Sequence, residues 1–102
     1  MNEHAIQNAI RRALSDTCVI FRINVGGAWT EDGRFFSTGV PTGFSDLFGV
    51  RKSDGKAVFI EVKQPGGKVR PEQTRFLAVM QGLGALAGIA HSVEEAKAIV
   101  EN

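Results

Sequence analysis

Ile6, Ile10, Ala13 and Leu14 recur at the spacing of one helix face, which predicts a helix over residues 2–14. Glu3 shares that face, since at about 100° per residue it lies within roughly 60° of Ile6, Ile10 and Leu14. A carboxylate on a buried face needs a partner or a metal; a frayed first turn would leave it in water instead. The sequence leaves both readings open. Residues 18–25 are β-branched and aromatic and read as a strand that Gly26-Gly27 ends. The stretch 26–45 then holds five of the twelve glycines, with Trp29, Phe35 and Phe36 among polar residues. It reads as an irregular segment with a short strand near Arg34–Ser37, and long loops in compact domains are often functional. Trp29 fits either stacking on a base or sugar, or packing in the fold or an interface.

Residues 46–51 and 57–63 read as two strands around a Ser53-Asp54-Gly55-Lys56 turn, an antiparallel hairpin. Closure on Asp54-Gly55 pairs residues whose numbers sum to about 109, which sets Asp46 opposite position 63. Gln64-Pro65-Gly66-Gly67 is a break, and Pro71 opens a helix at the position proline favours. Phe76, Leu77, Met80 and Leu83 give that helix its apolar face, and Gly82 and Gly84 end it. Ala85–Ala90 read as a short apolar strand. Ser92 and Glu95 make a capping box for a last helix, with Ala96, Ile99 and Val100 facing inward. The predicted order is α-β-β-β-α-β-α, an α/β fold of helices packed on a small mixed β-sheet.

At 102 residues the chain has room for one compact domain, here residues 1–102. Its 43% hydrophobic and 23% charged content exclude a disordered or fibrous chain. A core this small would gain from a partner subunit. Cys18, the only cysteine, sits in an apolar run and reads as a small buried hydrophobe. A reducing compartment fits, so the cytoplasm is the expected location. The N-terminus lacks the pattern of a signal peptide, and no apolar run has the length of a membrane span. A net charge of +1 does not announce a nucleic-acid binder. Residues 51–75, however, hold seven basic and three acidic side chains. Such a patch attracts phosphates even on a nearly neutral molecule; a solvated face is the bland reading.

Glu61-Val62-Lys63 is the sharpest chemical feature. Residues two apart on a strand share a face, so Val58, Ile60 and Val62 point one way and Ala57, Phe59, Glu61 and Lys63 the other. Glu61 and Lys63 stand at the strand's end, and the hairpin brings Asp46 beside them. Two carboxylates suit a hard cation such as Mg²⁺. The ion can polarise a phosphate oxygen and acidify a water, and a lysine can orient that water or stabilise developing charge. An ordinary surface salt bridge is the structural alternative.

The surroundings narrow the choice. Gly43-Phe44-Ser45-Asp46-Leu47, Phe59-Ile60-Glu61-Val62-Lys63 and Gly66-Gly67-Lys68-Val69-Arg70-Pro71-Glu72-Gln73 together resemble the VRR-NUC family. This is the virus-type replication and repair nuclease branch of the PD-(D/E)xK superfamily. Gly88-Ile89-Ala90-His91-Ser92-Val93-Glu94-Glu95-Ala96 resembles its usual ending, so the likeness runs from the first helix to about residue 96. It implies a restriction-endonuclease-like core. It also implies Asp46 and Glu61 as ligands of Mg²⁺ or Mn²⁺, with the Val62 carbonyl as a third. Lys63 would be the catalytic lysine, Gln73 the helix-borne glutamine near the site and Glu3 the acidic residue of the first helix. Lys52, Lys68, Arg70 and Arg75, with the glycine-rich loop 26–45, are expected to hold the DNA backbone. Ser45 stands where the family has a proline that shapes the turn and does no chemistry. Asp46 is therefore expected to remain a ligand.

Standalone members of the family resemble Holliday-junction resolvases, typical of bacteriophages and active as dimers. The resemblance thus implies a phage-type homodimer, located in the host cytoplasm, that sets two sites against the symmetric strands of a four-way junction. A flap or nicking nuclease with the same site is an alternative. So are a noncatalytic DNA-binding module that keeps the fold and a purely structural partner protein. The site is expected to face water, with Glu3, Asp46 and Glu61 repelling one another until Mn²⁺ binds and raises the melting temperature.

Overall fold

The structure, a computed structural model, describes residues 1–102. Helix α1 (Glu3–Leu14) starts at Asn2, whose side chain accepts from the Ala5 N–H at 2.8 Å, and buries Ile6, Ile10 and Leu14. Strands β1 (Cys18–Arg22), β2 (Gly27–Trp29), β3 (Phe35–Ser37), β4 (Leu47–Arg51) and β5 (Ala57–Val62) follow. Helix α2 (Pro71–Gly82), strand β6 (Leu86–Ala90) and helix α3 (Val93–Val100) complete the chain. The main sheet has the order β1-β4-β5-β6. β1, β4 and β5 run antiparallel, and β6 joins β5 in parallel through the α2 crossover. Within this sheet the element order is the predicted α-β-β-β-α-β-α.

β5 is buried on both faces, as its nearly continuous apolar sequence requires. Val58, Ile60 and Val62 meet Ile6, Ile10 and Leu14 of α1 and Ala96 and Val100 of α3. Burying a side chain such as Ile60 contributes about 2 kcal/mol. Phe59 faces the other way, onto Leu77 of α2 and Ala87 of β6. Phe44, Phe48, Phe59 and Phe76 form one aromatic cluster on that side. Phe44 is its hinge, with its ring 4.7 Å from Phe76 and 5.7 Å from Phe59. The loop that leads into β4 is thereby fastened to both β5 and α2.

The sequence reading differs from the structure in the 26–45 segment, at Leu83 and in the β4–β5 register. β2 and β3 pair with each other as a separate two-stranded sheet, so the segment 26–45 contains a hairpin where one short strand was expected. Trp29 lies edge-on to Phe35 and is 72% exposed, which removes the core from its readings and leaves stacking or an interface. Leu83 is 77% exposed, because it caps α2 instead of extending its apolar face. The β4–β5 register also differs. Leu47 faces Ile60 and Phe48 faces Phe59, which sets position 46 opposite 61 and not 63. The cause is the turn: Gly55, with φ +75°, donates to the Arg51 carbonyl at 2.7 Å, and Arg51 N–H bonds the Lys56 carbonyl at 2.8 Å. The loop is therefore longer than a two-residue closure. A slip of two residues preserves side-chain facing, so the strand's two faces stay as predicted.

Gly49 shows how tightly β1 and β4 approach. A Cβ there would sit 1.7 Å from the Val19 carbonyl oxygen, a backbone atom with nowhere to retreat. Gly49→Ala is expected to lower stability by about 3 kcal/mol or more, at the upper end of overpacking costs. Equilibrium urea unfolding checks this; a loss under about 1 kcal/mol would contradict so close an approach.

Candidate active site

Asp46 and Glu61 stand at the open end of the β4–β5 hairpin and are interlocked through the backbone. The Asp46 N–H donates to Glu61 Oε1 at 3.2 Å, and the Val62 N–H donates to Asp46 Oδ2 at 3.0 Å. The Asp46 carbonyl accepts from the Ile23 N–H at 2.8 Å, extending the β1 pairing by one residue. Asp46 is thus held from both neighbouring strands. Before it, the fully buried Ser45 donates its hydroxyl to the Leu47 carbonyl at 2.8 Å, which closes the turn in place of the proline. Gly43, with φ +98°, lets this loop lie against the backbone of Glu72 at the start of α2.

Lys63 and Gln73 complete the cluster. Lys63 Nζ lies 3.4 Å from Glu61 Oε2, and its side chain is only 12% exposed. Gln73, in the first turn of α2, donates from Nε2 to Glu61 Oε2 at 2.9 Å and accepts the Arg70 N–H on Oε1 at 3.0 Å. One amide therefore caps the helix and anchors the carboxylate. Glu61 is 2% exposed and Gln73 5% exposed, so this part of the site is interior and not open to water as expected. The cluster also lies where β5 and β6 end side by side, a common place for ligands in sheets with parallel strands.

Burial pushes the Glu61 carboxyl up to about 7; the Asp46 carboxylate adds to the rise and Lys63 opposes it. From its ordinary 4.5 to about 7, the folded chain keeps a proton that the unfolded chain has released. The stability contributed by this group is fully present below 4.5, falls as pH rises through that window, and levels off above about 7. Urea unfolding of metal-free protein across this range should show the decline in wild type. Glu61→Gln, which cannot titrate, should flatten it. Parallel curves for the two proteins would contradict the burial of this charge.

The remaining predicted residues divide. Lys68, Arg70 and Arg75 are exposed on the approach to α2 and in its first turns, with Arg70 at its N-cap. Lys52 lies at the opposite end of the hairpin, roughly 15–20 Å along the strand from Asp46 at the usual rise per residue. Its ammonium donates to the Ser15 carbonyl at 2.9 Å, so it does not join the cluster. Neighbouring Arg51 is also engaged, by Asp54 and the carbonyls of Val100 and Asn102. The basic block is therefore split by the hairpin between two ends of the molecule. Glu3 is the half-buried first residue of α1. No three His, Cys, Asp or Glu side chains converge anywhere, so Glu3 does not close up with Asp46 and Glu61.

One residue that the sequence reading passed over shares a cavity with Asp46. Gln7, one turn after Glu3, lines a cavity of about 490 Å³ together with Asp46, Arg22 and Asn24. Its Oε1 is buried and has no hydrogen-bond partner. The sequence carried a usable signal, since positions 3, 7, 10 and 14 share one helix face.

Chemically, the cluster offers oxygens on Asp46 and Glu61. The Val62 N–H points to Asp46, and in an extended strand the carbonyl of the same residue points to the same side. This set of oxygens could hold a hard divalent cation, with an ammonium beside it.

The sequence matches the family model of the VRR-NUC domain over residues 2–94. No curated protein sequence matches the chain. A solved structure described as a VRR_NUC domain is similar with a TM-score of 0.66 and 20% identity, covering 98% of this chain and 95% of that chain. At that identity the likeness speaks for the fold, a mixed sheet flanked by helices. The family model, which spans nearly the whole length and includes every residue of the cluster, decides the assignment: the chain belongs to the VRR-NUC domain family and has its nuclease-type fold.

Proposed function

We propose that this protein is a divalent-metal-dependent endonuclease that hydrolyses the phosphodiester backbone of DNA, as a homodimer acting on four-way junctions. The observation that carries the reading is the interlock of Asp46 with Glu61, and of Glu61 with Lys63 and Gln73. A stability role alone explains it poorly, because an acid buried beside another acid opposes folding.

Asp46, Glu61 and the Val62 carbonyl would hold Mg²⁺ or Mn²⁺. The ion, when bound, supplies polarisation of a phosphate oxygen and a lowered pKa for the attacking water. Glu61 must shed its proton to act as a ligand, so cation affinity should increase with pH up to about 7. Gln73 keeps the Glu61 carboxylate aimed while that proton leaves. Lys63, desolvated and adjacent, donates to the attacking water or to the charge that builds on the phosphate. Lys68, Arg70 and Arg75 offer phosphate contacts on the α2 side. Supporting a dimer are Phe21 on the edge strand β1 and Trp29, Phe35 and Phe36 on the β2–β3 hairpin, all exposed.

Cleavage of labelled four-way junction, flap and duplex DNA with Mg²⁺, with Mn²⁺ and with a chelator tests the reading. Paired symmetric nicks in the junction, lost on chelation, are expected. Cutting confined to flaps would favour a flap nuclease with the same site. Binding without cutting under every metal condition would identify a noncatalytic module and overturn the proposal.

A further inference from the structure

Arg22, the last residue of β1, lines the cavity beside Asp46, and Asp46 is the single acid in that wall. A second, shallower groove of about 780 Å³ lies between α1 and β1, with Arg11, Arg12 and Lys52 in its wall and no acid. The two adjoin. On α1, Gln7 lines the first and Asn8 the second. On β1, Arg22 and Ile20, two apart on one face, divide in the same way. Together they make one seam along α1 and β1 from Lys52 to Asp46. β1 is an edge strand, so the seam has an open side.

Arg11, Arg12, Arg22 and Lys52 are all exposed, and none pairs with a carboxylate. The Lys52 ammonium donates to the Ser15 carbonyl at the end of α1, which holds it at the seam with donors to spare. The last turn of a helix favours cations, which accounts for Arg11 and Arg12. It does not account for Arg22 and Lys52, which reach the same seam from the end of β1 and from beyond β4. A row of unpaired cations on a chain of net charge +1 attracts a row of anions. From Lys52 to Asp46 the seam is roughly 15–20 Å long at the usual rise per strand residue, the length of about five base pairs.

We propose that the α1–β1 seam holds the sugar–phosphate backbone of the DNA arm that leads to the cut. Arg11, Arg12 and Lys52 take phosphates along the arm, and Arg22 takes one beside the scissile phosphate. This rests on the nuclease reading given above. The cut then lies between cations on two sides, those of the seam and Lys68, Arg70 and Arg75 at α2. Such contacts position the backbone and read no bases, which suits an enzyme that selects DNA by shape. Phe21 alternates to the opposite face of β1 from Arg22.

Fluorescence anisotropy with labelled duplex and four-way-junction DNA, across a range of salt and in a chelator so that no strand is cut, tests the seam. Each lost phosphate contact should flatten the dependence of log affinity on log salt by about 1. Arg22→Gln should therefore lose about 1 from the slope, and the double variant Arg11→Gln with Arg12→Gln about 2. Lys97→Gln removes an exposed charge that lines neither cavity and should keep the wild-type slope. Shortening the duplex arm below about five base pairs should weaken wild type more than the double variant. Glutamine suits a helix as well as arginine does, so melting curves should nearly coincide. Wild-type slopes in Arg22→Gln and the double variant, or an equal loss in Lys97→Gln, overturn the proposal. If the double variant does not fold, Arg22→Gln alone decides. Binding to phosphatidylserine vesicles that these variants lose, with DNA binding intact, would assign the seam to a membrane surface and likewise overturn it. Wild type that binds no DNA at all would overturn the nuclease reading itself, and the seam with it.

Discussion

Asp46→Asn is expected to reduce DNA cleavage by about three orders of magnitude while DNA binding and the fold persist. The fold should survive because the asparagine oxygen can still accept the Val62 N–H, the bond that Asp46 Oδ2 now accepts at 3.0 Å. The loss should be large because the free Asp46 oxygen is the least constrained ligand in the cluster and the substitution removes its charge. The Asp46 carboxylate also raises the pKa of Glu61, so its neutralisation should ease that burden and leave metal-free stability equal or higher. Loss of cleavage together with equal or greater stability separates a site residue from a structural one. A variant that cuts within about ten-fold of wild type would remove Asp46 from the chemistry.

The second large effect is at Lys63. Lys63→Met keeps the length and apolar stem of the side chain and removes its ammonium. Cleavage should fall by about two to three orders of magnitude, the range for losing one preorganised donor to developing charge. Mn²⁺ affinity should hold or increase slightly, since a positive charge leaves the vicinity of the cation. Metal-free protein should lose stability at neutral pH, because Lys63 is the ammonium that opposes the upward shift of Glu61. Lys63→Arg is not expected to restore activity. A planar guanidinium is bulkier than an ammonium, and this side chain is nearly enclosed only 3.4 Å from Glu61. Single-turnover cleavage at saturating metal separates the loss of chemistry from any loss of metal.

The residues that the sequence made conspicuous are those whose placement depends on strand periodicity. Glu61 and Lys63 share a face whatever the register, and the alternation of Val58, Ile60 and Val62 with Phe59 follows from the same rule. Gln73 came from the family resemblance alone; Pro71 fixes where α2 begins and so places Gln73 in its first turn, but a first-turn glutamine does not by itself point to a site. Position 46 opposite 61 was harder. It depends on how the loop around Gly55 closes, and a glycine in the left-handed region permits more than one closure. The two-residue slip preserved facing, so Asp46 still reached the right neighbours.

Other features were hidden for different reasons. Lys52 and Lys68 look alike in a charge count, and only the hairpin's fold-back puts them at opposite ends. The β2–β3 pair is short and exposed, and its glycines obscure strand periodicity. The Phe44 cluster, which fastens the Asp46 loop to α2, involves residues from four parts of the chain that no local pattern links.

The account stands on oxygens from β4 and β5 holding one divalent ion beside Lys63. Anomalous scattering from crystals soaked in Mn²⁺ tests that most directly. The predicted result is a peak within coordination distance of Asp46, Glu61 and the Val62 carbonyl, absent from Asp46→Asn crystals soaked in the same way. A peak elsewhere, or none in crystals of protein that cuts DNA with Mn²⁺, would contradict it.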